Sequence, residues 1–458
     1  MTENFQFFAE DWEYMTEGGS SIILVPKCTE SYPKRHSSYV MKIPKKKLSY
    51  NYDFYQEIIN EVFTENQTNR FYIVCLDNQE VIKLIDRIKV LRSNERLNQG
   101  DKSFYANFGI LEKNLTLYQS LTSKFQISFE FKVKCGFKSY SPFIEDDRSI
   151  KLLLSRFKIM QLVKLHGLKS GGISTQPWGE FKYMSDYDPA DLCSRSISKV
   201  NRALDSLVLN PQNNLRICID GKHVYGWDKS KDEDRNYFLS TIETLKTSFN
   251  FDILSIISNE LVDSDILERL ESLQSIDAFI DIEGCGKIYE RLLKIYGNDH
   301  NMVTEKLLSS KFLQSAQELK LIHQWLKQIE TMNYDEDFNN SLKSTSELDD
   351  ISIVNKILPL VYIFYEKSPL IKQKRLCEWI DNLSEDDCLQ LLNLWLVALG
   401  AKDASLIINV QETTGYYLNY NVHTVLIDTG PKPVSKIKIK IEEEGSICEK
   451  AKLIYEYL

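Results

Sequence analysis

The chain has 458 residues, enough to bury a large core and to fold as two lobes or domains. It is 43% hydrophobic and 26% charged, the composition of an ordinary globular protein. A net charge of −9 and a pI near 5.4 argue against a general binder of nucleic acid or anionic membrane, so a polyanion would need a local basic pocket in an acidic body.

Nine cysteines run from Cys28 to Cys448 without a CxxC pair, which fits a reducing compartment and supplies no zinc-ligand pattern. The opening, MTENFQFFAEDWEY, carries acidic residues and no apolar segment of signal-peptide length. No stretch approaches the roughly 20 apolar residues of a membrane span. The expectation is a soluble intracellular protein of the cytoplasm, the nucleus or both, with no nucleic-acid or membrane partner.

In chain order, Asp11-Trp12-Glu13-Tyr14 leads into Glu17-Gly18-Gly19-Ser20-Ser21 and a strand at Ile22–Val25. A strand pair closed by a Gly-rich loop can lay backbone N–H groups over nucleotide phosphates. The same residues also make a plain hairpin turn. After the polar, basic loop Lys27–Ser38, the strand Tyr39–Ile43 carries Lys42 among apolar residues. A strand lysine behind a Gly-rich loop is the kinase arrangement for pairing with nucleotide phosphates. Phe54, Ile58, Ile59 and Val62 at helical spacing predict a helix over Tyr52–Phe63. Phe71–Leu76 is β-rich, Val81–Val90 is amphipathic, and Phe108–Leu111 reads as a short buried strand.

The stretch Ser128–Phe137 alternates strictly: Phe129, Phe131, Val133 and Cys135 on one side, Glu130, Lys132 and Lys134 on the other. Pattern alone fits a half-buried strand with a solvated charged face, and Gly136 marks a turn or a close approach. Ser149–Leu165 has helical spacing, Ser170–Lys182 reads as a loop, and Ser196–Leu209 as a helix. Asn210-Pro211-Gln212-Asn213-Asn214 reads as a turn into a strand at Leu215–Ile219, headed by Arg216. Asparagine amides donate to phosphate oxygens without adding charge and an arginine can fork onto phosphate, although turn chemistry explains the same residues. From Asp232 to Gly400 the pattern is helical, with Ile266–Gly284 one helix and Asp386–Leu399 another. Within this span Cys285–Pro369 reads as a helical elaboration with a mobile acidic loop at Tyr334–Asp350. The chain closes with Gly400-Ala401-Lys402-Asp403-Ala404-Ser405, strands at Leu406–Val410 and Val422–Ile427, and Asp428-Thr429-Gly430-Pro431-Lys432-Pro433. No internal repeat is visible.

Four of these segments together carry a resemblance. Glu130–Phe137 is similar to the signature Glu-Ile-Lys-Pro-Lys-Cys/Trp-Gly-Phe of inositol-pentakisphosphate 2-kinases, differing only at Phe131 and Val133. Pro211–Arg216, Lys402–Ser405 and Ile427–Pro433 resemble that family's later motifs, in order and correctly separated. The likeness covers nearly the whole chain except Cys285–Pro369 and Lys27–Ser38. It implies an α+β, two-lobed kinase-like fold: a smaller sheet-containing N-lobe at 1–111, a hinge at 112–114, and a larger C-lobe at 115–458 with a helical insert at about 285–370. The implied reaction moves the γ-phosphate of ATP, with Mg2+, to the 2-hydroxyl of inositol 1,3,4,5,6-pentakisphosphate. The partners would be these two small molecules, and the protein a monomer.

The resemblance also assigns residues. Asp403 would be the base, Lys132 the stabiliser of the reacting centre, and Asp428 the metal ligand. Substrate phosphates would meet Arg96, Lys132, Lys134, Lys164, Asn213, Asn214, Lys432, Lys436 and Lys440. The nucleotide would meet Gly18, Gly19, Lys42, Lys45, Glu112, Asn114, Glu130 and Arg216. Lys436 and Lys440 depart from the family's Arg and Tyr, and Gly430 stands where members often have Asp or Ser. The zinc-ligand set of plant members is not recognisable, so no structural metal is expected. Two rival readings are a scaffold that binds inositol phosphates without catalysis and a nucleic-acid binder using the Lys-rich strand.

Overall fold

Two antiparallel five-stranded sheets organise the chain in a computed structural model that describes residues 6–17, 21–27, 39–45, 51–69, 71–92, 97, 108–117, 123–169, 184–227, 229, 231–249, 252–331, 352–413 and 419–458. The first contains β1 (Trp12–Glu17), β2 (Ser21–Pro26), β3 (Tyr39–Pro44), β4 (Phe71–Cys75) and β5 (Phe108–Lys113), in the order β1-β2-β3-β5-β4. Ile22, Leu24, Met41, Ile43 and Val74 pack with Leu84 and Ile88 of the helix Asn78–Ile88 into a core of their own. That helix starts where the Asp77 carboxylate accepts hydrogen bonds from the N–H groups of Gln79 and Glu80.

The second sheet contains β6 (Ser123–Lys132), β7 (Leu215–Ile219), β8 (Lys222–Gly226), β9 (Ser405–Thr413) and β10 (Asn419–Ile427), in the order β10-β9-β6-β7-β8. Strand β6 is central. Phe129 and Phe131, each 1% exposed, face the main core with Phe238 edge-on to Phe129. Full burial of one such aromatic side chain is worth about 1.5–3 kcal/mol. The same core takes in residues of the helices Ile197–Leu209, Ile266–Ile295 and Glu385–Ala401, the last two packed against each other. The helix Tyr52–Val62 also sends Phe54, Ile58 and Ile59 into this larger core.

Several expected elements end differently. Strand pairing stops at Lys132 instead of running to Phe137, because Lys134 turns left-handed (φ 63°). Burial nonetheless keeps alternating through Val133, Cys135 and Phe137. Glu130 is buried at 7% exposure instead of lying on a solvated face. The helix expected over Ser149–Leu165 is two helices, Ile150–Leu153 and Arg156–Lys169, parted by an extended Leu154. The helix expected to end at Gly284 continues to Ile295, through a break at Asp281 (φ 55°, ψ 179°) whose carboxylate accepts from the N–H of Ile282. The Cys285–Pro369 region contributes Leu307, Trp325, Val354 and Leu360 to the main core, while Tyr334–Asp350 lies outside the described residues.

Among the described residues the cysteines are free thiols, and no helix is long and apolar enough to cross a membrane.

Candidate active site

Three strand ends set the site. In the ladder of the second sheet, Lys132 at the end of β6 is opposite Ser405 at the start of β9, and Ser405 is opposite Ile427 at the end of β10. The residues just past these ends are therefore neighbours: Lys134, Asp403 and Asp428.

Asp403 sits in the turn between the helix Glu385–Ala401 and β9, its N–H donating to the Gly400 carbonyl at 2.9 Å. Its carboxylate is 3.3 Å from the Lys134 ammonium through Oδ1 and 2.8 Å from Lys432 through Oδ2. The Lys132 ammonium lies 3.2 Å from Ser405 Oγ and 3.5 Å from the Asp403 carbonyl. Burial alone would raise the Asp403 carboxyl, but Lys134 and then Lys432 hold it well below the usual carboxylate range. Lys134 is lowered, first by burial and further by the charges of Lys132 and Lys432, against the pull of Asp403.

Two close approaches make this meeting possible. A Cβ at Gly136 would stand 2.5 Å from the Ala190 backbone nitrogen, so only glycine lets the strand extension lie on the short helix Pro189–Leu192. There the Tyr187 hydroxyl donates to the Val133 carbonyl at 2.9 Å. A Cβ at Gly400 would stand 2.3 Å from the Gly430 carbonyl, and Lys432 N–H donates to Leu396 O at 3.1 Å. This contact seats the Lys432 loop on the helix end beside Asp403.

Asp428 follows β10 in a left-handed conformation (φ 56°) and lies 3.1 Å from the Lys42 ammonium of β3. Lys42 also reaches Glu112 of β5 at 2.9 Å. Burial opposes the Lys42 charge, yet Asp428 and Glu112 together raise its pKa. Lys42 in turn is the main cause of the lowered Asp428 carboxyl. Lys42 and Glu112 both lie on the first sheet and Asp428 follows the last strand of the second, so the Lys42–Asp428 pair bridges the two sheets.

The other anticipated residues fall at different distances from this centre. Lys45 pairs with Glu17 at 2.9 Å, and buried Glu17 also holds Arg92 at 3.1 Å. Glu17 directly precedes Gly18; Gly18, Gly19 and Arg96 lie outside the described residues. Asn114 is buried, its side-chain oxygen accepting from the Thr116 N–H and hydroxyl, a local turn contact. Glu130 lies 3.9 Å from Arg216, whose guanidinium stacks over the Trp227 ring at 5.1 Å, and Lys132 approaches the same ring at 5.9 Å. Asn213 is half-buried in the turn after Gln212 (φ 44°). Asn214 is 1% exposed; its backbone carbonyl accepts the Lys132 N–H at 2.9 Å. Both polar atoms of its side chain lack a partner among the described residues. Lys164 is half-buried on the helix Arg156–Lys169, and burial, then the Lys134 charge, pushes it down to about 8. Lys436 opens the helix Lys436–Tyr455, and Lys440 pairs one turn on with Glu443 at 2.9 Å.

The site also contains groups to which the sequence assigns no role. Trp227, set beneath two cations, follows the tight β7–β8 hairpin, where an Asp220-Gly221 turn was the available signal. Ser405 and the pair of half-buried Lys402 with buried Asp277 are the others.

A divalent cation fits beside Asp428. Magnesium takes one or two carboxylates and completes its shell with phosphates and water. The Asp428 side chain is 46% exposed, and a Cβ added at Gly430 would meet nothing within 4 Å, so space is open there. Among the described residues, no three His, Cys, Asp or Glu side chains gather as a closed metal site.

This chain is similar to known sequences. The family described as inositol-pentakisphosphate 2-kinase matches residues 14–444. Inositol-pentakisphosphate 2-kinases of Oryza sativa subsp. indica and Arabidopsis thaliana are each 31% identical, over 172 and 179 residues; each match covers 36% of this chain and 36% of the relative. That of Danio rerio is 24% identical over 227 residues, covering 47% of this chain and 44% of the relative. The matched stretches thus span well under two thirds of these relatives' own lengths. The family match, however, encloses β2 to β10 and every strand end that forms the site: the chain belongs to the inositol-pentakisphosphate 2-kinase family.

Proposed function

We propose that this protein transfers the γ-phosphate of ATP to the 2-hydroxyl of inositol 1,3,4,5,6-pentakisphosphate, giving inositol hexakisphosphate. The observation that carries the reading is the meeting of Lys132, Lys134 and Lys432 around Asp403, a surplus of cations about one carboxylate. A substrate with five phosphates needs such a surplus, and the acid among them would take the hydroxyl proton.

In this reading the substrate phosphates take over Lys134 and Lys432. The carboxylate that these lysines hold below its ordinary range then regains basicity as they turn to phosphate, so substrate binding readies the base. Lys132 faces the transferring group, fixed by Ser405 and the Trp227 face. Unpartnered, buried Asn214 offers an amide to a phosphate, with Asn213, Lys164, Lys436, Lys440 and Arg96 completing the substrate's surroundings. Lys42, Lys45, Glu112, Asn114, Glu130, Arg216, Gly18 and Gly19 would surround the nucleotide. Magnesium, when held by Asp428, would neutralise phosphate charge during transfer; Lys42 would then release Asp428 and turn to the nucleotide phosphates.

The two sheets, each with its own core and bridged by the Lys42–Asp428 pair, support a two-lobed kinase-like arrangement with lobes at 1–111 and 115–458 and a hinge at 112–114, the helix Tyr52–Val62 of the first lobe packing into the core of the second. We read the protein as a soluble monomer of cytoplasm or nucleus. Incubation with Mg-ATP and a panel of inositol phosphates tests the function. Phosphate transfer to the 2-position of the pentakisphosphate is expected. Tight binding without ATP consumption would instead mark a non-catalytic scaffold.

A further inference from the structure

The helix Ile266–Ile295 carries two polar side chains into the core beside the site, Gln274 (1% exposed) and Asp277 (8%). Three residues apart, they share one face of the helix. The Gln274 amide donates to two carbonyls at once, Lys134 O at 3.2 Å and Ala401 O at 3.0 Å. Asp277 accepts from the Trp395 indole at 2.7 Å and takes the Lys402 ammonium. Ala401 and Lys402 are the two residues before Asp403, and Lys134 is the residue whose ammonium touches it.

A buried carbonyl must be hydrogen-bonded, but any donor or a water molecule would serve either one alone. A single amide bridging both does something more: it fixes the distance between the strand extension and the helix-end turn. Lys134 also holds a left-handed φ of 63°, a conformation that a lysine keeps only where its surroundings impose it. We infer that Gln274, seconded by Asp277, is a positioning residue that fixes the Asp403 turn against the strand extension after β6. The inference rests on the reading of Asp403 as the group that takes the hydroxyl proton.

The test is a double-mutant cycle of Gln274→Met, which keeps the volume and loses both donors, with Asp403→Asn. Displacement of a reacting group by about 1 Å can cost on the order of 10²-fold. Gln274→Met should therefore lower kcat by about 10–100-fold while the Kd for inositol pentakisphosphate stays within about threefold. In the Asp403→Asn background the same change should lower kcat no further, because the residue acts only through that carboxylate. An equal second loss there, an unchanged kcat, or a loss confined to substrate Kd would overturn the inference. Should Gln274→Met not fold, Gln274→Asn, which keeps the amide but is one methylene too short to span both carbonyls, puts the same question. If Asp403→Asn alone keeps full turnover, the fault lies with Asp403 as the base. If it loses turnover and Gln274→Met does not, the fault lies with the positioning.

Discussion

Two clusters of lysine or arginine with carboxylates behave as opposites. In the inner one Lys151 reaches Asp281 at 2.5 Å, Glu283 at 2.8 Å and Glu444 at 3.1 Å, while Arg156 adds a second cation to Glu444 at 2.7 Å. Lys151 and these three acids are 3–10% exposed. In the outer one Lys132, Lys134 and Lys432 surround Asp403, whose side chain is 53% exposed. With Arg148 also on Glu283 at 3.1 Å, the inner cluster matches three acids with three cations and is closed. The outer one holds an excess of positive charge open to solvent, free to exchange its carboxylate for phosphate. Chemistry belongs to the cluster whose pairing is incomplete.

Asp403→Asn should break the outer cluster most severely. The amide keeps the shape but cannot take a proton, so kcat should fall by about 10²–10⁴-fold with substrate binding retained. Steady-state turnover alongside a direct binding titration checks this, and near wild-type turnover would remove Asp403 from the chemistry.

Lys151→Met should break the inner cluster with the opposite signature. It leaves Asp281, Glu283 and Glu444 buried together without their shared cation, a loss of about 3–5 kcal/mol in stability. Urea unfolding should register it, while kcat per folded molecule stays at the wild-type value. Asp281 belongs to this arrangement because its left-handed backbone would otherwise be a strained break in the helix.

The two clusters are unequally legible in the sequence. Period-2 alternation in Phe129–Cys135 located the central strand, and the turn residues around Pro211 located the next one, because both signals are local. Where β6 stops could not be read, since Lys134 turns under tertiary contacts with Tyr187, Ala190 and Gln274 that lie 50 to 140 positions away. The split in Ser149–Leu165 was hidden for the same reason: its apolar spacing is continuous, and the break at Leu154–Ser155 lies beside the Lys151 cluster instead of at a proline or glycine. Asp403, Lys132 and Lys432 were found through motif likeness alone. The sequence gives no role to Trp227, Gln274 or Asp277, and only the folded chain brings them to the site.

Within the outer cluster, Lys132 and Lys134 should separate. Lys132 is aimed at the reacting centre, so Lys132→Ala should lower kcat by about 10²–10³-fold, the usual cost of one charge-stabilising donor. Lys134→Ala removes a contact present equally in bound and transition states. It should raise KM for inositol pentakisphosphate about tenfold with kcat little changed. Identical kinetic signatures for the two variants would mean that the strand end is one undivided charge patch.

The smallest effect concerns the edge of the outer cluster. Lys164 is pushed down to about 8, first by burial and then by the Lys134 charge, so it loses its proton as pH rises through that value. A lysine at its ordinary value would stay charged to about pH 10. If Lys164 meets a substrate phosphate, the free enzyme competent to bind falls to about half at pH 8, and KM should rise about twofold there. Lys164→Arg keeps the charge at every accessible pH and should flatten this rise. The ratio of KM values for wild type and variant cancels titration of the substrate's own phosphates, since both enzymes meet the same substrate. A ratio constant from pH 7 to pH 9 would place the Lys164 ammonium away from the bound phosphates, and the cation excess around Asp403 would then have to come from Lys132, Lys134 and Lys432 without it.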